Sequence, residues 1–191
     1  MDLEYVISQT LAGIGSPEKP FERAEYESCS FVNCDLSRAD LSNSVFQDCE
    51  FKDCNFSLAR TKNTAFRNVS FSGCKMLGLQ WGDCNPFGFS IEIRNCVMDN
   101  SSFYKVKLKN AQFANARFLE TDFTEADVSG AVFDSCDLSG ATFDTTNLEG
   151  ADLRTATGYS IDPENNRIGK AKFSLVGIVG LLDKYNIEIE Y

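Results

Sequence analysis

Residues 121–153 read TDFTEADVSGAVFDSCDLSGATFDTTNLEGADL, and an apolar residue stands at every fifth position from Phe123 onward. The same count runs back through the chain in two registers that differ by two residues, one from Phe21 to Trp81 and one from Ile93 to Leu153. Period five fits neither regular element, because five residues advance about 500° around a helix and an odd step reverses the face on a strand. The chain is therefore predicted to turn a corner once per repeat and to wind into a solenoid whose coils stack at about 4.8 Å.

A small residue precedes most of these centre residues by two positions, as Cys29, Cys34, Ala126 and Ala151 do. Positions two apart on extended backbone point to the same side, so both residues of each repeat are predicted to face inward. Seven of the eight cysteines stand at this second inward position. We therefore expect them to be small core residues with reduced, structural thiols. Thr61 is the one polar centre, and we expect its hydroxyl to bond a neighbouring backbone group.

The amino-acid composition excludes several classes of protein function. The chain has 191 residues, 43% of them apolar, which is enough for one domain with a buried core. It has 18 Lys and Arg against 28 Asp and Glu, a formal charge of -10 and no histidine. The absence of histidine excludes catalytic triads built on imidazole and zinc sites with histidine ligands. The excess of acidic residues argues against direct binding of nucleic acid. The chain also lacks a C-x-x-C pair, a phosphate-binding glycine loop and a G-x-S-x-G motif, so we predict a protein without catalytic residues, metal or cofactor.

The sequence shows no targeting or membrane segment. The N-terminus is acidic where a signal peptide would be basic. The longest apolar run, residues 175–182, includes two glycines and is far short of the roughly 20 residues that a membrane helix needs. We therefore expect a cytoplasmic protein with no membrane partner.

The repeat divides the chain into three parts. Residues 1–20 lack it and are expected to form an N-terminal cap, since an open coil end would expose apolar layers and unpaired backbone. Residues 21–157 are predicted to form the solenoid, with the register shift at about 82–92 producing a bulge. Phe87 and Phe89 in that bulge either stand exposed, available to a partner, or fold back onto the neighbouring coil. Residues 158–191 are expected to cap the last coil and to form a dimer.

The C-terminal segment has its own pattern. Residues 161–166 are typical of a turn, and Ser174 is a good N-cap for a helix from residue 175 to about residue 184. The apolar residues of this helix cover more than one buried stripe, so one face can cover the last coil while another meets a second copy. Residues 187–191 alternate like a terminal strand. The predicted dimer interface contains Leu175, Val176, Ile178, Val179, Leu181 and Leu182.

Acidic residues concentrate near the end of the repeat. Between Arg117 and Arg154 the chain has nine acids and no base, and each acid stands next to a centre or two positions after it, where side chains point outward. Such a negative zone can occupy a basic groove made for duplex DNA. Turn chemistry and solubility also favour Asp before a centre, so the pattern does not by itself require a partner. We name these nine residues the acidic collar: Glu120, Asp122, Glu125, Asp127, Asp134, Asp137, Asp144, Glu149 and Asp152.

Residues 126–130 (ADVSG) and 151–154 (ADLR) resemble the motif of the pentapeptide repeat proteins, which has Phe or Leu at its centre, often Asp or Asn just before it and a small residue two before it. The resemblance covers residues 21 to about 157. It implies an all-β solenoid, a right-handed quadrilateral β-helix with four repeats in each 20-residue coil, to which the tail would add a C-terminal helix. In such a coil Cys34 would stack on Cys54, and in-register thiols point alike rather than at each other, which disfavours disulfides.

Residues 71–81, 159–162, 171–175, 181–182 and 187–189 are similar to the albicidin-resistance members of this family and, more distantly, to its quinolone-resistance and microcin-immunity members. The resemblance implies a homodimer, joined through its C-terminal ends, that binds DNA gyrase or topoisomerase IV and protects it from antibiotic or toxin poisons. For some of those relatives the acidic rod is thought to imitate duplex DNA. The alternative hypothesis is a non-catalytic interaction scaffold with an unrelated partner.

Overall fold

The computed structural model of the chain describes residues 3–16 and 18–190, which form short parallel strands of three or four residues each. Among these residues the helical segments are all 3-10 turns: Trp81–Asp83, Gly177–Leu181 and Asp183–Tyr185. None of them has the length and apolar character that a membrane crossing requires. The strands are β1 (Glu4–Ile7), β2 (Thr10–Ala12), β3 (Ala24–Glu27), β4 (Ser30–Val32), β5 (Val45–Gln47), β6 (Glu50–Lys52), β7 (Ala65–Arg67), β8 (Val69–Ser72), β9 (Ile91–Arg94), β10 (Gln112–Ala114) and β11 (Val132–Asp134).

The strands stack into two parallel sheets that run along the solenoid. One sheet has the order β1-β3-β5-β7, and the other contains β2, β4, β6, β8, β9, β10 and β11 in that order. Tyr26 pairs with Phe46 and Phe31 with Phe51, so neighbouring strands are 20 residues apart. Six turns therefore separate the first and last strands of the longer sheet, and the predicted all-β solenoid is confirmed.

Each turn of the solenoid has four sides. We number them in chain order, so that face 1 contains Tyr26, face 2 Phe31, face 3 Leu36 and face 4 Leu41. Faces 1 and 2 carry the two sheets, whereas on faces 3 and 4 the coils are joined by isolated bridges. In the second half of the chain the 20-residue register holds on faces 1, 3 and 4, through the pairs Lys107 with Asp127, Arg117 with Asp137 and Asp122 with Thr142.

The corner predicted once per repeat is made, at most centres, by the residue two positions after the centre. Asn33 and Asp48 have φ of 52°, and Gly130 has φ of 66°. This left-handed conformation turns the chain sharply, and Asn, Asp and Gly adopt it at the lowest steric cost. Enrichment in these three residue types after the centre is therefore a consequence of the corner.

The interior is a stack of centre side chains. Phe51 is fully buried, and its ring stacks between those of Phe31 and Phe71 with centroid distances of 4.5 and 5.2 Å. Such contacts repeat along the core, since residues one turn apart lie directly above one another. The polar centre Thr61 donates its hydroxyl to the Gln80 carbonyl at 3.1 Å, as predicted.

The cysteines are buried free thiols. The backbone N–H of Cys34 donates to Cys54 Sγ at 3.4 Å, which confirms the predicted stacking. The Cys54 thiol in turn donates to the Phe31 carbonyl at 3.5 Å. Burial raises the pKa of Cys49 and of Cys136 to about 11, so these thiols stay protonated at neutral pH.

The register shift is confirmed and lies on face 1. Val69 pairs with Ile91, 22 residues later, and the face 1 sheet ends at β7. The two phenylalanines of the bulge behave differently. Phe89 folds back and is half-buried, with its ring centroid 6.1 Å from that of Trp81. Phe87 remains 77% exposed.

The solenoid is longer at both ends than the sequence analysis predicted. β1 and β2 pair with β3 and β4 in the 20-residue register, so residues 4–12 form strands of the first turn, whereas the sequence analysis placed them in an N-terminal cap outside the rod. At the other end Asp152 bridges Lys172, which places the boundary beyond residue 157. Val6 and Leu11 keep the five-residue spacing and pack partly buried against the core, but Ser16 interrupts the count before Phe21, which is why the sequence analysis missed this turn.

The predicted C-terminal helix is absent, and the segment forms the two 3-10 turns instead. Ser174 does cap its start, because Ser174 Oγ accepts a bond from the Gly177 N–H at 2.9 Å. Gly177 and Gly180 lie against Tyr159. A Cβ added to Gly177 would come within 2.0 Å of Tyr159 Oη, and a Cβ added to Gly180 would come within 2.1 Å of the Tyr159 carbonyl oxygen. These two glycines fit the backbone to the coil end but favour a helix poorly. The predicted turn after Ile161 is present, whereas residues 187–190 form no strand and Tyr191 lies outside the described residues.

Candidate functional site

The acidic collar lies on the outside of the solenoid, as its spacing predicted. All nine side chains are exposed or half-buried. The 20-residue register distributes them over the four faces: Asp127 and Glu149 on face 1, Asp134 and Asp152 on face 2, Glu120 and Asp137 on face 3, and Asp122, Glu125 and Asp144 on face 4.

Four collar residues also shape the backbone. Each precedes its centre and accepts a bond from the backbone N–H two residues later, with Oδ1 to N distances of 2.9 to 3.2 Å. This local turn chemistry explains why Asp is favoured there. The four residues are Asp122, Asp127, Asp137 and Asp152.

Hydrogen bonds affect the ionisation of two collar carboxylates. Burial acts to raise the pKa of Asp122, but bonds from Thr124 and Ser102 outweigh it, and the pKa is lowered. Arg154 donates to Asp152 and lowers the pKa of that carboxyl, with a smaller contribution from Lys172. Both groups are therefore anionic at neutral pH.

Basic residues from the flanking coils neutralise part of the collar. Glu125 pairs with Lys105 at 3.4 Å, and Glu149 pairs with Arg167 at 3.0 Å. Asp152 contacts Arg154 Nη2 at 2.7 Å. The sequence analysis missed these pairs because the bases lie outside residues 118–153. Counting one turn of 20 residues back from Glu125 would have found Lys105, whereas Arg167 lies 18 residues after Glu149 and reaches it through its long side chain.

The other six collar residues form no ion pair with a described residue. Their contacts are with neutral groups: Asp127 accepts a bond from Asn147 at 2.9 Å, and Asp134 from Thr155 at 3.0 Å. Such contacts orient the carboxylates without cancelling their charge. The uncompensated collar consists of Glu120, Asp122, Asp127, Asp134, Asp137 and Asp144.

Face 4 carries acids beyond the collar. Asp162 and Glu164 follow Asp144 on the next turn, and Asn165 bonds Asp144 across the two turns. Lys184 of the tail bridges this pair, with Nζ 2.7 Å from Asp162 Oδ1 and 2.7 Å from Glu164 Oε2. The acidic surface therefore continues to the C-terminal end of the rod, where one lysine attaches the tail to it.

The repeat geometry has a counterpart among known proteins. A sequence profile described as pentapeptide repeat region matches residues 21–92 and 89–173. The chain belongs to the pentapeptide repeat family. Proteins of this family are generally non-catalytic. A search of curated proteins found no match to the chain.

Solved structures of pentapeptide repeat proteins resemble this one. A trypsin-treated form of QnrB1, a plasmid-mediated fluoroquinolone resistance protein, has a TM-score of 0.62 at 18% identity and covers 98% of this chain and 92% of its own. A second trypsin-treated form of QnrB1 has a TM-score of 0.49 at 22% identity over 98% of both chains. HetL of the cyanobacterium Nostoc, involved in heterocyst differentiation regulation, has a TM-score of 0.36 at 17% identity, over 88% of this chain and 84% of its own. At these identities the first likeness supports the fold alone.

At the end of this pentapeptide repeat solenoid, three of the six residues predicted for the dimer interface are exposed and three are half-buried. Leu175, Val176 and Ile178 point outward, with exposed fractions of 90%, 74% and 46%. Leu181 instead packs against the core. Val179 and Leu182 are half-buried. An apolar surface therefore remains at the C-terminal end, although it is not part of an α-helix.

The described carboxylates and thiols of this pentapeptide repeat protein do not form a metal centre. Residues 3–16 and 18–190 contain no group of three or more Cys, Asp or Glu side chains placed to hold a metal ion. The collar carboxylates are spread around a filled rod rather than gathered in one cleft.

Proposed function

We propose that the chain binds the DNA-binding groove of a type II topoisomerase, DNA gyrase or topoisomerase IV, and protects the enzyme from an antibiotic or toxin. The observation that carries the proposal is the uncompensated collar, six carboxylates on neighbouring turns of a rod that form no ion pair with a described residue. Membership of the pentapeptide repeat family and the fold shared with a fluoroquinolone resistance protein support it.

Electrostatics supplies the mechanism. A groove that binds duplex DNA presents Lys and Arg to phosphates, and carboxylates on a rod can take the place of those phosphates. Neighbouring turns lie about 4.8 Å apart, so the collar offers charges at closely spaced levels along the axis. Complementary potentials also accelerate association, because oppositely charged surfaces steer the encounter. While the rod occupies the groove, the enzyme is not available for the cleaved-DNA complex that a poison traps.

We propose further that two copies join through their C-terminal ends. The outward side chains of Leu175, Val176 and Ile178 form an apolar patch of the kind that marks an interface. A two-fold axis at this end would make the same patch serve both partners. The collar lies close to this end, since Asp152 bridges Lys172 on the last turn. The dimer would thus join two collars into one negative zone.

The test measures binding to gyrase from the same organism as salt is raised. Wild-type protein should bind at low salt and lose affinity steeply toward moderate ionic strength, because exposed charges are screened within about 10 Å at 0.1 M. The combined change of Asp122, Asp127, Asp134 and Asp137 to Asn should slow association about tenfold or more. Thermal stability should stay nearly unchanged, since Asn can accept the same turn hydrogen bonds.

A matched control removes four charges elsewhere on the rod. Asp35 and Asp40 also precede their centres and accept bonds from the N–H two residues later, at 3.1 and 3.0 Å. Changing them together with Asp48 and Asp53 to Asn should leave gyrase binding intact. Equal losses in both variants would mean that net charge, and not the collar, governs binding. No binding and no rescue of supercoiling from a poison would contradict the proposal.

The alternative function is a non-catalytic scaffold, and the exposure of Phe87 favours it. An apolar ring that is 77% exposed on a bulge is an available contact for a partner. Its guanidinium neighbour Arg67 lies 5.6 Å from the ring centroid and holds it in place. Under this alternative the protein does not bind gyrase. Phe87→Ala, and not the collar variant, then abolishes binding to the true partner.

A further inference from the structure

The formal charge of the chain is distributed unevenly along the rod. From Arg60 to Lys109 the chain has eight bases and three acids, whereas the parts before and after this segment are both acidic. The acidic excess of the whole chain therefore hides a basic segment in the middle. This segment separates the acidic N-terminal part of the rod from the acidic collar.

The positive surplus of this segment lies on two adjacent faces. On face 2 Glu92 pairs with Arg94, and on face 3 Asp99 pairs with Arg117, so two of the three acids are neutralised there. The third acid, Asp83, is the one acid on faces 4 and 1 within residues 60–109, all of which the structure describes. We name the bases of these two faces the basic patch: Arg60 and Lys62 on face 4, Arg67, Lys107 and Lys109 on face 1, and Lys105 at the corner between the faces.

Most cations of the basic patch are available to a partner. Five of the six side chains are exposed, and Arg67 is half-buried. Lys105 pairs with Glu125 of the collar at 3.4 Å, whereas the other five form no ion pair with a described residue. Neighbouring turns are about 4.8 Å apart, so the basic patch extends over roughly 10 Å of the rod. An extended anion could therefore contact several of these cations at once.

The basic patch also contains two exposed aromatic rings. Away from the two ends of the rod, Phe87 and Tyr104 are the described aromatic residues with exposed side chains, at 77% and 42%. Each ring has a cation beside it: the Arg67 guanidinium lies 5.6 Å from the Phe87 centroid, and Lys105 Nζ lies 4.7 Å from the Tyr104 centroid. Exposed rings among cations are the combination with which proteins bind single-stranded nucleic acid without sequence preference.

We propose that the basic patch binds single-stranded nucleic acid. Phosphates contact the five cations that form no ion pair, and unpaired bases stack on the rings of Phe87 and Tyr104. A duplex keeps its bases stacked on each other and would leave both rings unused, as would the carboxylates of an acidic protein segment. Repulsion by the distant acids is weak, because exposed charges are screened within about 10 Å at 0.1 M salt. The basic patch is separate from the collar, and this proposal does not rest on topoisomerase binding.

Fluorescence anisotropy of a labelled oligothymidylate of 12 nucleotides, titrated with the full-length chain, tests the proposal. We expect a Kd of about 10 μM at low salt, and a slope of about -3 when the logarithm of affinity is plotted against the logarithm of salt concentration. Each neutralised phosphate of a single strand contributes about -0.7 to that slope. A duplex of the same length should bind at least about fivefold more weakly, because it offers no base to the rings.

A double lysine variant tests the cations. Lys107→Gln combined with Lys109→Gln should weaken oligothymidylate binding and reduce the salt slope by about 1. Lys170→Gln combined with Lys172→Gln removes the same charge beyond the collar and should leave binding unchanged. Equal losses in the two double variants would overturn the proposal, since net charge alone would then account for the binding.

A ring variant distinguishes bases from phosphates. Phe87→Ala should weaken oligothymidylate about tenfold and leave an abasic strand of the same length unaffected, because only bases stack on the ring. The proposal is overturned if the wild-type chain shows no salt-dependent binding of oligothymidylate, or if the duplex or an oligoglutamate peptide binds as tightly. The collar variant with four Asn residues should bind oligothymidylate undiminished, so this proposal and the topoisomerase proposal can fail separately.

Discussion

The centre residues show how single side chains stabilise a solenoid. Phe51 is in contact with rings on the turn before it and the turn after it, so it contributes to two coil interfaces at once. Phe87 is the same residue type outside the stack, where it covers only an arginine. Comparing Phe51 with Phe87 separates the contribution of burial to stability from the contribution of the residue type.

Replacement of Phe51 by Ala should lower the free energy of unfolding by about 3 to 5 kcal/mol, the usual range for a large residue removed from a packed core. Urea unfolding followed by circular dichroism would measure it. Phe87→Ala is the control and should change stability by less than about 0.5 kcal/mol. Similar losses in the two variants would mean that the stacked column is not what stabilises the rod.

Among the recurring elements, the corner decides whether the chain turns after each centre. Gly150 is a clean example, since its φ is 70° and a Cβ there would meet nothing within 4 Å. Only the backbone conformation, and not space, limits substitution at this corner.

Gly150→Asn should change the free energy of unfolding by less than about 0.5 kcal/mol, because Asn tolerates the left-handed region. Gly150→Val should cost about 1 to 2 kcal/mol, since its Cβ branch does not. Thermal or urea unfolding of the two variants compares them directly. Equal stability would show that the corner relaxes to another conformation.

The tail is an element attached by charge. Lys184 donates to Asp162 and Glu164 and thereby lowers the pKa of both carboxyls. Ile161 adds a backbone bond to the Gly180 carbonyl at 2.9 Å, so the 3-10 turns lie on the coil end. The attachment holds while the carboxyls are ionised.

Acid should therefore loosen the tail. A carboxyl whose folded pKa is lowered stabilises the contact above its unfolded pKa, near 4, and the contribution is lost as the pH falls below about 4. Hydrogen-exchange protection factors for residues 177–185 should drop at pH 3 but not at pH 6, while those of β11 persist. Lys184→Gln should reproduce the loss at neutral pH, and Lys170→Gln should not. Unchanged protection in Lys184→Gln would rule out the attachment.

The whole molecule is a rod with unequal ends and an uneven charge. The nine collar acids between Arg117 and Arg154 nearly equal the formal charge of -10, because the rest of the chain is close to balanced. The apolar patch lies at the same end as the collar. Assembly through that end would bring like charges together, so the apolar contact must outweigh their repulsion.

Ile178→Arg should convert the proposed dimer to a monomer, because the interface would bury an unpaired charge. Sedimentation velocity at micromolar concentration would measure the change. Leu58→Arg is the control, since Leu58 is 55% exposed on the side of the rod away from the end. A wild-type monomer under these conditions would contradict the dimer.

The sequence by itself determined the interior of the rod, the corners and the position of the register shift. Each repeat contacts only the turns beside it, so a local count of every fifth residue from Phe21 to Leu153 is also a description of the core. The same count placed the collar on the outside and predicted the stacking of Cys34 on Cys54.

Only the tertiary structure decided the ends, the ion pairs and the bulge. Ser16 interrupts the five-residue count between Leu11 and Phe21, and the tail follows no such count, so the sequence did not show that residues 4–12 form strands of the first turn or how the tail packs. The pairing of Lys105 with Glu125 depends on the turn length, which brings residues 20 apart together. Whether Phe87 or Phe89 folds inward depends on which ring fits beside Trp81, and the spacing of residues along the chain does not specify that fit.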